Sequence, residues 1–158
     1  MIREANNEDI TILVEWMLQL ISHFQHTSSD PYVTQIVDNQ DEGILAWFNE
    51  AIPSESSKIF LAEEDDMPVG FIFGKITKPF LSASKINEIG LIELCWVDPA
   101  YRQQGVASQL VHILEDWFKA QGIEYIDLQY LVGNVSAEKS WEKMGYMPYR
   151  ISSRKKLN

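Results

Sequence analysis

The chain reads as an α/β (α+β) protein, a mixed sheet with helices packed on its faces. Apolar residues recur at helical spacing in some segments and run or alternate in others. In "SKIFLAEEDDMPVGFIFGKI", two apolar runs flank an acidic, proline-containing turn, which predicts an antiparallel hairpin. A strand–helix–strand stretch follows, and such a crossover makes a parallel pair. Antiparallel and parallel pairs in one sheet define the class.

The elements follow in order. "MIREA" is a short strand, and Asn7 to Asp9 supply the capping and acidic residues of a helix start. Leu13, Met17, Leu20, Ile21 and Phe24 give the first helix, Ile10 to Phe24, its apolar stripe, and "HTSSDPY" breaks it. A second helix covers much of Asp41 to Ala51 and stops before Pro53. The hairpin comes next, then the loop "TKPFLSASK" and the strand "INEIGLIELCWV", ended by "DPAY". A helix opening near Gln104 carries Val106, Leu110, Ile113, Leu114, Trp117 and Phe118 on a broad apolar face and closes at Gly122. "IEYIDLQYLV" is a strand, "SAEKSWEKM" a helix ended by Gly145, and "YMPYRISSRKK" a last strand.

The whole suits one domain, residues 1–158, with a sizeable core. Apolar residues make up 46% and charged residues 23%, as in ordinary globular proteins. No apolar run is long enough to span a bilayer, and "MIREANNEDI" is too polar for a signal peptide. The lone Cys95 excludes an intramolecular disulfide and zinc sites built on paired cysteines, which suits a reducing cytoplasm. A net charge of −10 disfavours a nucleic-acid partner and slightly favours cationic ones.

"RQQGVAS" is the segment that points to chemistry. Gly105 admits a backbone conformation closed to other residues, and Ala107 and Ser108 let a ligand approach the chain. A helix start exposes N–H groups and partial positive charge, and Arg102 could add a full one. Such a turn suits a diphosphate. No Gly-Lys-Ser/Thr follows, so it is not a P-loop, and only one glycine of the dinucleotide fingerprint is present.

"VDPAYRQQGVASQLV" resembles the acyl-CoA-binding motif of the GNAT superfamily of N-acyltransferases, Q/R-x-x-G-x-G/A after a strand ending V-x-P-x-Y/W-R, through Arg102, Gly105 and Ala107. "GNVSAEKSWEKMGYMPY" is similar to that family's N-x-x-A-x-x-x-Y-x-x-x-G-F/Y segment through Asn134, Ala137, Gly145 and Tyr146. "IREANNEDI" looks like its first strand and helix cap, so the likeness covers nearly the whole chain. It implies a mixed central sheet of six to seven strands, splayed near its middle and flanked by about four helices. It also implies that the pyrophosphate of acetyl-CoA sits on backbone amides of Gln103, Gln104, Gly105, Val106, Ala107 and Ser108, with Arg102 beside them. The pantetheine arm pairs with Trp96 and Val97 like an added strand. Asn134 matches a cofactor-contacting residue, or simply caps its helix, and Trp141 falls near the thiol end.

Transfer of an acyl group to an amine needs a base, because most amines are protonated at neutral pH. Glu93 is the candidate. It lies in an apolar strand and shares a face with Val97 under strict alternation, where partial desolvation would strengthen it as a base. The alternative is a carboxylate that faces solvent or pairs with a structural cation. Trp141 stands where many members carry a tyrosine acid, and an indole cannot give up its proton. The thiolate then leaves unassisted, or with help through water from Ser140, Tyr130 or Tyr146.

His23 and His26 make a poor metal site by themselves and read as solvated helix residues, or as a border of the acceptor cleft. Cys95, Trp16 and Trp47 read as core, although an aromatic wall could also greet a cation. The expected activity is acetyl transfer from acetyl-CoA to a primary amine, of a small molecule first, by direct transfer in a ternary complex and without a metal. The alternative is a catalytically silent CoA-binding module. The resemblance also implies a homodimer as one assembly state.

Overall fold

A computed structural model describes residues 1–157. The chain divides into two compact units, Met1–Leu128 and Gln129–Asn158. The first holds a five-stranded sheet in the order β1-β2-β3-β4-β5. Its strands are β1 (Ile2–Glu4), β2 (Ser57–Glu64), β3 (Met67–Thr77), β4 (Ile89–Val97) and β5 (Ile126–Leu128). The first four pair antiparallel, and β5 runs parallel to β4. The mixed class is as the sequence predicts, with five strands in place of six to seven.

The hairpin closes on Asp65 and Asp66, both left-handed at φ 48° and 62°, which matches the twist of a two-residue turn. Pro68 lies in β3 rather than in the turn. Helix α1 (Ile10–Thr27) and helix α3 (Gln40–Ala51) frame a one-turn helix α2 (Pro31–Thr34). Asp30 caps that turn with its side chain, and Pro31 takes the first position, where a missing N–H costs nothing. Within "HTSSDPY", α1 therefore ends at Thr27 and α2 begins at Pro31.

One sheet face packs against α1 and α3 through an aromatic core. Trp16 stacks on Phe71 with centroids 5.8 Å apart, and Trp47 meets Phe73 edge-on at 4.7 Å. The other face receives α4 (Val106–Ala120). A Cβ on Gly74 would lie 2.6 Å from Leu114 Cδ2, and one on Gly90 2.9 Å from the Phe118 ring. These two glycines are the notches that let α4 sit close. Leu110, Leu114 and Phe118 are fully buried there, each contributing about 1.5–3 kcal/mol. That seating fixes where α4 begins.

The second unit contains α5 (Val135–Lys143). The last strand expected at "YMPYRISSRKK" does not form among the described residues. Pro148 removes a ladder donor, and the alternating Met147, Tyr149 and Ile151 lie exposed at 71%, 61% and 88%. Alternation identifies a residue set that would suit a strand but supplies no partner for it.

Candidate active site

The turn before α4 is built from bare backbone. Gln103 and Gly105 are both left-handed, at φ 61° and 86°. Gly105 is the N-cap and offers no side chain to the helix start. The first amide of this region to find an acceptor is Gln109 N–H, which donates to Gly105 O at 3.1 Å. From Gln103 to Ser108, no backbone N–H has a hydrogen-bond partner among the described residues. A Cβ on Gly105 would meet only Gln109 Nε2, at 4.0 Å, so the approach is open. Successive amides in mixed left- and right-handed conformations form an anion-binding concavity, reinforced by the helix dipole. The burial of α4 far exceeds the roughly 1 kcal/mol that a side-chain cap contributes, so the helix persists without one. These residues fit a diphosphate.

Arg102 is committed to the neighbouring strand end. Its Nε donates to Val97 O at 2.9 Å, and its guanidinium lies 4.7 Å from the centroid of the Trp96 ring. This clamp ties the turn to β4 and leaves a positive charge beside it. Trp96 is 7% exposed, and its indole N–H is buried without a hydrogen-bond partner among the described residues. The β4–β5 ladder ends at Ile92 and Leu128, so β5 offers no partner to residues 93–97. Pairing between the last two strands of the five stops there, towards one side of the sheet rather than at its middle.

Glu93 requires a correction. In the β3–β4 ladder Gly74 pairs with Ile92 and Phe73 with Leu94, so Glu93 is the extra residue of a β-bulge. A bulge re-aims one side chain and resets the alternation after it. Val97, opposite Gly70, lies on the α4 face, as do Ile92 and Gly74. Glu93 instead pairs through Oε1 with Lys75 Nζ. Lys75 follows Phe71 and Phe73 on the face that packs against α1 and α3. Glu93 and Val97 therefore do not share a face. The cation weighed as an alternative partner is present, and sequence reasoning missed it because the contact joins residues on different strands.

On that same face, an open groove of about 670 Å³ runs along α1. It is lined by Glu15, Gln19, Ser22, His23, His26, Trp96 near the end of β4 and Pro99 just after it, among others. Both histidines border this groove. The polar stripe at Glu15, Gln19, Ser22 and His26, spaced by three and four, was the sequence signal for it. Trp16 and Trp47 belong to the core and its margin. Cys95 is half-buried, and desolvation pushes its thiol up to about 12, so it is no thiolate at neutral pH. No group of three metal-ligating side chains occurs among the described residues.

In the second unit, Asn134 Oδ1 accepts the Ala137 N–H at 3.1 Å and caps α5. Trp141 packs edge-on against Tyr146, with centroids 5.5 Å apart. Desolvation, then the charges of Glu138 and Glu142, raise the Tyr130 phenol above its ordinary range. Ser140 Oγ already donates to Ser136 O. Neither is well placed as a proton donor.

The sequence profile of the Acetyltransferase (GNAT) family matches residues 18–146. An aminoglycoside N(6')-acetyltransferase type 1 of Salmonella typhimurium is 24% identical over 106 residues, 67% of this chain and 73% of that protein. The N-terminal acetyltransferase B complex catalytic subunit of Arabidopsis thaliana is 34% identical over 83 residues, 52% of this chain and 45% of that protein. AAC(6')-Iy in complex with the bisubstrate analog CoA-S-monomethyl-acetylneamine superposes with a TM-score of 0.76 at 19% identity, covering 99% of this chain and 98% of that one.

Proposed function

Because the chain belongs to the acetyltransferase (GNAT) family of acyl-CoA-dependent N-acyltransferases, we propose that it acetylates the primary amine of a small molecule, by direct transfer in a ternary complex with acetyl-CoA. The observation that carries the reading is the unbroken row of unpartnered amides from Gln103 to Ser108 at the mouth of α4.

These amides, with the Arg102 charge, would hold the diphosphate. The open edge at residues 93–97 would take the extended arm by strand addition. Acetyl-CoA supplies an acyl group already activated as a thioester. Glu93 takes a proton from the incoming ammonium, directly or through water, and so frees the nitrogen lone pair. Orientation of the two reactants supplies much of the rate. The groove along α1, which Glu15 and Trp96 line and Glu93 does not, would admit the amine, and Glu15 would meet its positive charge. A small molecule is favoured over a protein N-terminus by analogy with the aminoglycoside enzyme, which this chain matches over the greater share of both lengths. No helix among the described residues is long and apolar enough to cross a membrane. A lone, protonated Cys95 suits a reducing cytoplasm.

Thiol release from acetyl-CoA across an amine panel tests the reading. Glu93→Gln should lower kcat about 100-fold while acetyl-CoA affinity changes less than about threefold. Equal rates for the variant and the wild type would remove Glu93 from the chemistry.

A further inference from the structure

The ion pair of Lys75 with Glu93 does more than hold the sheet together. The two side chains keep 38% and 25% of their exposure, and pairs so wet contribute about 1 kcal/mol or less to stability. Lys75 sits on the inner strand β3, on a face that otherwise carries Phe71 and Phe73. Such a position favours an apolar residue, and a lysine there needs a reason. The bulge supplies one. Glu93 is extra to the ladder, so no cross-strand neighbour of its own fixes its side chain. Lys75 engages Oε1, and the second oxygen, Oε2, would meet an amine on the α1 side.

We propose that Lys75 is a positioning residue for the transfer reaction, holding the Glu93 carboxylate by Oε1 so that Oε2 receives the proton of the incoming amine. The N–H bond of the substrate breaks, an O–H bond forms on Glu93, and the proton passes to water after turnover. The inference rests on Glu93 acting as the base.

The full chain is assayed by thiol release from acetyl-CoA, with spermidine, glucosamine and neamine as acceptors, in the wild type, Lys75→Met, Lys75→Arg, Glu93→Gln and Lys75→Met/Glu93→Gln. Lys75→Met should lower kcat about tenfold with the KM for acetyl-CoA unchanged, because a mispositioned base costs rate rather than donor binding. Lys75→Arg should restore most of the loss. In the Glu93→Gln background Lys75→Met should cost nothing further, whereas a merely structural role would cost the same in both backgrounds. A slow Glu93→Gln beside an unimpaired Lys75→Met overturns the role of Lys75 alone. A fully active Glu93→Gln overturns the base, and this inference with it. Crystals of Lys75→Met decide the matter independently of the acceptor. Glu93 should lose its single side-chain position, and an unmoved carboxylate would overturn the proposal.

Discussion

Two helices of the first unit begin in opposite ways. Before α1, the 3₁₀ turn Asn7–Asp9 is closed by a reciprocal capping box. Glu8 N–H donates to Asn6 Oδ1 and Asn6 N–H to Asp9 Oδ2, both at 2.8 Å. Arg3 then grips both Asp9 oxygens at 2.7 Å and reaches Glu63 with Nε. Before α4, nothing is closed: Gly105 has no side chain, and the amides on either side have no partner among the described residues. A helix start filled by its own side chains adds stability, and one left open has free donors for an anion. The difference marks where to look for function. The bare entrance follows the strand that carries Glu93, Trp96 and Val97.

Exchanging the two kinds of entrance should therefore trade binding against stability. Gly105→Glu brings a carboxylate to the open mouth and should weaken CoA binding about 100-fold or more. The domain stays folded, because the added Cβ has room and the left-handed φ costs only about 1 kcal/mol. Calorimetric titration reads the affinity and circular dichroism the fold.

Asp9→Asn should do the reverse. It removes a buried charge partner, although Arg3 remains a third exposed, and should cost on the order of 2 kcal/mol without altering CoA affinity. The Arg3 hydrogen bonds hold the Asp9 carboxyl below its ordinary 3.8 despite burial. Its contribution is complete above that value and is lost as pH falls through the lowered folded-state value. Denaturant titrations should thus show the wild type and Asp9→Asn converging below about pH 4. A gap that stays constant with pH would contradict this.

The start of α5 lies between the two extremes. Asn134 spends its carbonyl on Ala137 N–H, which leaves its amide NH₂ to offer a ligand. Asn134→Asp should keep stability within about 0.5 kcal/mol, since either residue caps well. It should weaken CoA binding about three- to tenfold by removing a donor and adding a negative charge. An unchanged affinity would leave Asn134 a cap only.

Much of the fold was legible because it rests on local pattern. The α4 stripe, the hairpin runs around Asp65-Asp66 and the glycine at the helix mouth each follow from residues close in sequence. What escaped depends on partners far along the chain. The bulge at Glu93 arises from how β3 and β4 register, and strict alternation across "GLIELCWV" could not reveal it. Lys75 is adjacent to Glu93 only in space. The last strand failed for the converse reason: residues suited to a strand need a neighbour, and Pro148 weakens their claim to one. Arg102 shows a mixture. The motif locates it at the turn, but its hold on Val97 O and the Trp96 ring follows from the packing of the strand end.

The most direct test follows backbone amide resonances of the labelled protein during titration with CoA. The largest shifts should appear at Gln103 to Ser108, with those of Asn6 to Asp9 unmoved. Saturable binding that leaves the Gln103–Ser108 amides in place would contradict the account.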